Sequence, residues 1–279
     1  MPAVKDKTMK KVYITVLSAL VLTGCGSNSE KKSTSQAAMK PDSVKVETAA
    51  DTVRKKITLT DSFYQITNLG SFDIIFTEGE TCLELVGRKE LIDMVKANAD
   101  GITLTMYMGH ENNRDIVTMG RTTGVKAYVS CPRLSIVSAC GGGSFYAHGT
   151  IHSDNFQCGC LDAGEIHMDT LECTSFRYES RSQGGASLGY VKSTGDIAVI
   201  SSSDADISVE AETPACLILD TSSSGSITAT GNVGTLDINT TKSGKISFSG
   251  SYQNKTVTSV IASTVNIANQ NAHKSQIHK

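Results

Sequence analysis

The sequence lacks several of the features by which function classes are usually recognised. Among its 279 residues there is no Trp, and aromatic residues make up only 5%. This leaves few rings for an exposed platform of the kind that sugar-binding modules use. The formal net charge of -2 gives no sign of a nucleic-acid-binding patch. The hydrophobic fraction of 39% is too high for a wholly disordered chain and is sufficient for one or two folded domains.

Motifs that would indicate catalysis or a cofactor are also lacking. The sequence contains no phosphate-binding loop, no HExxH and no EF-hand loop. Its six histidines have no spacing that suggests a shared site, so each is interpreted as a surface or loop residue. We therefore predict no cofactor, no metal site and no catalytic residue, and the sequence leaves the ligand-binding residues unassigned.

The N-terminus carries the pattern of a secretory signal. Lys10 and Lys11 precede an apolar run over residues 12–22, which is too short to span a bilayer as a mature helix. The run ends in Leu22-Thr23-Gly24-Cys25, which resembles a bacterial lipobox. That resemblance implies that residues 1–24 are a lipoprotein signal peptide and that Cys25 becomes the lipid-attachment residue. An ordinary secretory signal followed by an unmodified cysteine is the alternative.

A polar segment follows the predicted lipid-attachment site. Residues 25–54 have no apolar periodicity, so we expect a flexible, lipidated tether. A lipid at its start would anchor the chain to a membrane while the folded part stays soluble.

A repeat of about twenty residues dominates the rest of the sequence. Apolar pairs two positions apart recur with their first members separated by 22, 20, 21, 20 and 19 residues. Their positions are Leu134/Ile136, Phe156/Cys158, Phe176/Tyr178, Ile197/Val199, Leu217/Leu219 and Leu236/Ile238. Each pair is followed, roughly ten residues later, by a small residue and two alternate apolar ones, as in Gly143-Phe145-Ala147, Gly164-Ile166-Met168, Ala186-Leu188-Tyr190, Ala205-Ile207-Val209, Gly225-Ile227-Ala229 and Gly244-Ile246-Phe248.

This repeat predicts the fold class. A period of two within each phrase indicates strands with one buried face, and short strands at a fixed spacing of about twenty residues are typical of a solenoid. We predict an all-β, single-stranded, right-handed parallel β-helix over residues 131–268. Residues 55–130 are predicted to form an N-terminal cap and the first coils, and residues 269–279 a polar tail.

The predicted cap has a different texture from the repeats. "FDIIFTE" (72–78), "TCLELVG" (81–87) and "ITLTMYM" (102–108) read as strands. "RKELIDMVKANAD" (88–100) is predicted to be a short amphipathic helix, with Leu91, Met94 and Val95 on one face and Gly101 beyond its end. The polar stretch over 108–124 is predicted to be a long loop.

Taken in order, these motifs resemble a known family. "FDIIFTEGETCLELVGRKELIDMV", "GITLTMY" and "YVSCPRLSIVSACGGGSF", followed by the repeats, are similar to bacterial secreted proteins with the putative autotransporter adhesin, head GIN domain. The likeness covers roughly residues 57–268. It implies a β-helical domain on lipid-anchored or secreted envelope proteins, often of Gram-negative bacteria, and it brings no catalytic residues. The family's Gly-rich corners are replaced here at Ala186 and Ala205.

Seven cysteines remain besides Cys25, an odd number that cannot be fully paired within one chain. Cys158 and Cys160 lie two apart on one predicted strand, which is poor geometry for a disulfide between them. Although His152 and His167 are nearby in the sequence, no second ligand pair has zinc-type spacing. Inward-facing cysteines behave as small hydrophobes, so we favour core filling over metal or redox chemistry.

Two further patterns could carry chemistry. Asp204 and Asp206 share an outward face and could flank a sugar or hold calcium, with Arg177, Arg181 and Lys192 as nearby bases; we favour a solvated surface. Residues 185–189 fit G-x-S-x-G, but no helix follows the serine, so we interpret them as a corner of the repeat.

These observations favour a non-enzymatic, lipid-anchored cell-envelope protein, most simply at the outer membrane, whose β-helix presents a surface for adhesion or envelope contact. The alternatives are a protein that binds or cleaves polysaccharide and a scaffold that stacks end to end through open strand edges. The expected partners are the membrane, through the lipid, and a glycan or protein surface, with no nucleic acid. The sequence leaves the oligomeric state open.

Overall fold

The computed structural model describes residues 52–109, 124–260 and 262–269. These residues form sixteen strands and one helix within the compact unit Thr48–Lys279. In chain order the elements are β1 (Thr52–Ile57), β2 (Gln65–Asn68), β3 (Asp73–Glu78), β4 (Cys82–Arg88), α1 (Lys89–Met94), β5 (Val95–Ala99), β6 (Thr103–Met108), β7 (Lys126–Cys131), β8 (Ile136–Ala139), β9 (Phe145–Cys160), β10 (Ile166–Ser180), β11 (Ala186–Ser193), β12 (Ile197–Ser201), β13 (Asp206–Thr221), β14 (Ser226–Thr240), β15 (Lys245–Ser259) and β16 (Thr264–Asn269).

Strands of successive rungs pair in parallel. β9, β10, β11, β13, β14, β15 and β16 follow one another in that order, and β12 pairs with β10 and β13. Ile207 pairs with Ile227, and Ile227 pairs with Ile246, so these three side chains lie in one file. The structure confirms the predicted fold, a parallel β-solenoid of about 7 turns with rungs of about 20 residues.

Most of the long strands bend as they pass around a rung. In β10 the buried apolar residues are Ile166 and Met168, then Leu171, then Phe176 and Tyr178. We call the segments that contain these three sets the first, second and third segments of the rung. The corner between the second and third segments positions the candidate site.

The interior is one continuous hydrophobic cluster that extends along the stacked rungs. Rings of neighbouring rungs stack within it, with centroid separations of 5.9 Å for Phe76 and Phe145 and 6.1 Å for Phe156 and Phe176. Each buried apolar side chain contributes about 1.5–3 kcal/mol to stability. The few that a single rung buries cannot offset the conformational entropy lost when its roughly twenty residues become ordered. The rungs therefore depend on one another for stability.

The N-terminal part combines antiparallel strands with the first coils. β1, β4 and β7 pair antiparallel in that order, as do β5 and β6. β3 pairs in parallel with β7 and β9, and β2 pairs in parallel with β6 and β8. The three strands predicted in this region are present as β3, β4 and β6.

The predicted helix is shorter than expected. α1 covers only Lys89–Met94, and its buried residue is Ile92. Leu91 and Met94 of the predicted apolar face pack against the core while partly buried, and Val95 is buried beyond the end of the helix. The following residues, Val95–Ala99, form β5 and pair antiparallel with β6. The helix has no side-chain N-cap hydrogen bond, so a strand partner outweighs its weak local preference. Gly101, with a φ of 87°, lies in the turn between β5 and β6 instead of ending the helix.

The first predicted apolar pair is out of register by one residue. Leu134 is buried, but Ile136 is only half-buried, and the inward residues of β8 are Val137 and Ala139. Val137 pairs with Cys158, the second member of the next predicted pair. Because side chains alternate along a strand, a shift of one residue exchanges the two faces.

The corner assigned to Ala186 is also wrong. Ala186 pairs with Ile166 and Ile207 in the buried file of the first segment, and Tyr190 is half-buried. The corner residue is Gly184, where an added Cβ would lie 2.0 Å from the carbonyl oxygen of Gly164. Only glycine permits this approach of two backbones. Ala205 does occupy a corner, since a Cβ at Gly225 in the next rung would lie 2.6 Å from its carbonyl oxygen.

Several predictions concern residues outside the described ranges. The signal peptide and Cys25 lie there, as do nearly all of the predicted loop over 108–124 and the tail beyond Asn269. β1 begins at Thr52, three residues before the expected start of the cap, because residues 52–54 pair with β4. Within the described part of the chain, no helix is long and apolar enough to cross a membrane.

Candidate functional site

A groove follows the corner between the second and third segments of successive rungs. Its volume is about 640 Å³. A second depression of about 530 Å³ adjoins it and shares Pro132, Arg133, Ser153 and Asp154 with it. The groove is lined further by Glu78, His152, Glu172, Cys173, Lys192, Ser193, Thr194, Glu212 and Pro214, and the depression by Ser62, Phe63, Tyr64, Leu134, Ser135 and Asn155.

A file of charged side chains runs along this groove. His152 pairs with Glu172, Glu172 with Lys192, and Lys192 with Glu212, so their side chains project from the same face of neighbouring rungs. Glu78 at the end of β3 reaches the same file, where its Oε2 accepts a hydrogen bond of 2.7 Å from the backbone N of His152. We call these five residues, Glu78, His152, Glu172, Lys192 and Glu212, the charge ladder.

Contacts between neighbouring side chains order the first three members of the charge ladder, Glu78, His152 and Glu172. The Nδ1 atom of His152 lies 3.3 Å from both carboxylate oxygens of Glu78, and its Nε2 lies 3.8 Å from Oε2 of Glu172. The imidazole is therefore placed between two carboxylates.

The last two members of the charge ladder, Lys192 and Glu212, are less fully paired with their neighbours. Lys192 forms no ion pair with any residue that the structure describes, although it lies between Glu172 and Glu212 in the register. The hydroxyl of Tyr190 donates a hydrogen bond to Glu212, which raises the pKa of Tyr190 to about 12. With three glutamates against one lysine, the charge ladder gives the groove an acidic character.

The adjoining depression combines a ring with planar polar groups. Nη2 of Arg133 lies 2.7 Å from Oδ2 of Asp154, and both side chains are largely exposed. Oδ1 of Asn155 accepts a hydrogen bond of 2.6 Å from the hydroxyl of Ser175. Tyr64 also lines the depression and is 42% exposed.

One cysteine borders the groove. Cys173 is half-buried, and its Sγ lies 3.7 Å from the backbone oxygen of Lys192. Desolvation raises the pKa of this thiol, so it is protonated at neutral pH and a poor nucleophile.

The other six cysteines of the solenoid are also free thiols. Cys131, Cys158 and Cys160 are buried, and Cys82, Cys140 and Cys216 are half-buried. Burial raises the pKa of Cys131 to about 12 and that of Cys160 to about 11. Cys158 pairs with Tyr178 in an interior file, where it fills space as a small apolar side chain. No group of three or more His, Cys, Asp or Glu residues suited to a metal ion occurs among the described residues.

The structure does not gather the two candidate aspartates into a site. Asp204 accepts hydrogen bonds from the hydroxyls of Ser223 and Ser224 in the next rung, which lower its pKa. Asp206 accepts a hydrogen bond from the hydroxyl of Ser226. Both carboxylates therefore tie neighbouring rungs together at the surface.

The predicted basic partners lie elsewhere. Arg177 and Arg181 both bind Glu179, at 3.2 Å and 2.7 Å. Of these three basic residues, only Lys192 lines the groove. Ser187 of the G-x-S-x-G pattern is exposed on β11 and continues a strand instead of turning into a helix.

The described histidines lie at the surface, as predicted, but not without partners. His148 lies 3.5 Å from Asp169, and His167 lies 3.0 Å from Glu165 and stacks on Tyr146 with a centroid separation of 4.7 Å. His110, His273 and His278 are outside the described residues.

Sequence reasoning missed the charge ladder. Its signal was present, because residues 152, 172, 192 and 212 are spaced at the repeat length and are all ionisable. Glu78, Tyr64 and Arg133 carried no such signal, since they precede the regular repeats.

Part of the chain also matches a known protein family. Residues 62–191 match the family described as "putative auto-transporter adhesin, head GIN domain". This stretch, nearly half of the chain, is similar to a head GIN domain. The match confirms the family that the sequence motifs resemble. It includes Glu78, His152 and Glu172 of the charge ladder and ends one residue before Lys192.

The chain is also similar to solved structures. A Bacteroides fragilis protein described as a putative adhesin superposes with a TM-score of 0.66 at 17% identity, covering 78% of this chain and 98% of that one. Two proteins with the same description, from Parabacteroides distasonis and Parabacteroides merdae, give TM-scores of 0.59 and 0.55 at 12% and 17% identity. They cover 78% and 79% of this chain and 97% and 98% of their own. These likenesses show a shared fold. A search of curated proteins finds no match.

Proposed function

We propose that this chain is a lipid-anchored protein of the cell envelope that uses the outer surface of its solenoid for adhesion. Its family supports an adhesion-type, non-enzymatic role at the cell surface or in the envelope. Beyond this family role, we propose a lipid on Cys25, a location at the outer membrane and a specific binding partner.

The charged groove is the observation that carries the adhesive role. It extends over at least four neighbouring rungs, so it suits contact with an extended partner better than enclosure of a small substrate. The polar side chains around it are held by neighbours, as in the pairs of Glu78 with His152 and Arg133 with Asp154. Side chains that are already ordered lose little entropy on binding.

Anchoring is tested by replacing the proposed lipid-attachment residue. We expect wild-type protein to sediment with the membrane fraction of expressing bacteria, and Cys25→Ala to lose metabolic incorporation of a labelled fatty acid and to shift largely to the soluble fraction or remain unprocessed. Cys216→Ala is a matched control that removes a half-buried thiol and leaves the lipid label unchanged. A Cys25→Ala protein that still incorporates the fatty acid would contradict the anchor.

Adhesion is tested with full-length protein reconstituted into phosphatidylcholine vesicles. We expect these vesicles to attach to at least one member of a panel of intact bacterial and animal cells at several times the level of protein-free vesicles. Equal attachment of both kinds of vesicle throughout the panel would contradict the adhesive role.

A further inference from the structure

We propose that the depression beside Tyr64 is a saccharide-binding site and that the partner of the groove is a neutral glycan. This inference deepens the adhesive role proposed above and rests on it. Tyr64 would stack against the apolar face of one sugar ring, while Arg133, Asp154 and Asn155 would bind hydroxyls at its rim.

The backbone of Tyr64 is held in place, and the residue is accessible. Its backbone N donates to the carbonyl oxygen of Ile102 at 3.0 Å, and its own carbonyl accepts from the backbone N of Ser135 at 2.8 Å and from the Ser135 hydroxyl at 3.1 Å. The preceding Phe63 is buried in the core. These contacts fix the backbone, and Tyr64 lines the depression with 42% of its surface exposed.

The polar groups beside the ring match the chemistry of a sugar. A pyranose presents carbon-bound hydrogens on its faces and hydroxyls around its edge, so it needs an apolar wall together with donors and acceptors at the rim. Arg133 supplies donors only, Asp154 acceptors only, and Asn155 both. The ion pair of 2.7 Å holds the Arg133 and Asp154 groups side by side, which suits two adjacent hydroxyls.

The charge ladder selects among glycans. The depression shares Arg133 and Asp154 with the groove, so a chain bound at Tyr64 continues past Glu78, Glu172 and Glu212. Uronic acid or sulfate groups would be repelled there, because like charges in a cleft oppose binding. A neutral oligosaccharide meets no such penalty and can accept or donate hydrogen bonds along the same carboxylates and Lys192.

The decisive experiment uses full-length protein in a detergent without a sugar headgroup. Calorimetric titration would compare neutral oligosaccharides built from glucose, mannose, galactose or N-acetylglucosamine with uronate-containing and sulfated ones. We expect binding of at least one neutral chain and at least about tenfold weaker binding of every acidic one. Equal or tighter binding of the acidic chains, or no neutral binder in the panel, would overturn the proposal.

Variants locate the site. Tyr64→Ala should weaken neutral binding by about tenfold or more, as truncation of a central aromatic anchor does, whereas Tyr64→Phe keeps the ring and should bind within about threefold of wild type. Tyr128→Ala removes a tyrosine of similar exposure, 38%, outside the groove and should change nothing. Wild-type affinity of Tyr64→Ala would overturn the assignment.

Vesicle attachment separates this proposal from the function on which it rests. If vesicles attach to cells and no neutral glycan binds, the saccharide site is wrong and the adhesive role stands. If a neutral glycan binds in a Tyr64-dependent manner while vesicles do not attach, the site is correct and the adhesive role is wrong.

Discussion

Single glycines decide where successive rungs can approach most closely. Gly231 has a φ of 139° and lies in register between Ala211 and Gly250. A Cβ added at Gly231 would lie 1.8 Å from the carbonyl oxygen of Ala211, closer than any side-chain atom can approach. Both the backbone angle and the neighbouring rung therefore require glycine at this position.

Gly231→Ala is accordingly predicted to destabilise the solenoid by about 2–5 kcal/mol, through an unfavourable backbone conformation and a clash that forces the rungs apart. Gly101→Ala is the matched control, because Gly101 also has a positive φ but an added Cβ there meets nothing within 4 Å. Its cost should be only about 1–2 kcal/mol. Denaturant unfolding followed by circular dichroism measures both, and equal losses would show that the close approach of the rungs contributes nothing.

Among the described residues, the second half of β15 leaves one edge of the stacked strands open. The residues of β15 from Tyr252 onward pair with β14 on one edge and with no described residue on the other. Lys255 pairs with Leu236 and so continues an inward file, yet it is exposed, with its Nζ 5.7 Å from the centre of the Tyr252 ring. An inward charge on an edge strand discourages pairing with another molecule. This observation weighs against a scaffold that stacks end to end.

Replacing that charge should expose the edge. We predict that Lys255→Leu increases the self-association constant of the full-length protein in detergent at least about tenfold over wild type. Lys245→Leu, which places the same side chain on the exposed face of β15, should not. Sedimentation velocity over a range of concentrations distinguishes the two, and indistinguishable profiles for wild type and Lys255→Leu would refute this role for the lysine.

The elements also show what the sequence could and could not predict. The repeat predicted the stacked strands because Ile207, Ile227 and Ile246 each carry the same alternation, and stacking is their only way to bury it. The helix over 88–100 was predicted too long, since local pattern cannot weigh a strand partner such as β6 against a weak helix. Tyr64 and Glu78 could not be placed, because they meet residues about 70 positions away only after the first coils have formed.

The whole molecule combines a stacked interior with one acidic, partly open corner. The interior makes the rungs interdependent, and the register of the rungs then sets the charge ladder without any further requirement on the sequence around it. The fold thus converts a repeat of about twenty residues into a straight file of charges on the surface. We propose that this file belongs to the surface through which the protein adheres.

Vesicle attachment by a charge-reversed variant tests that claim most directly. Lys192→Glu leaves the charge ladder with four glutamates and one histidine without touching the core, and Lys245→Glu makes the same change at an exposed position outside the groove. We predict that Lys192→Glu lowers attachment to the responsive cells at least about fivefold, because it removes the ammonium donor of the charge ladder, while Lys245→Glu attaches as wild type does. Equal attachment by all three proteins would contradict the claim.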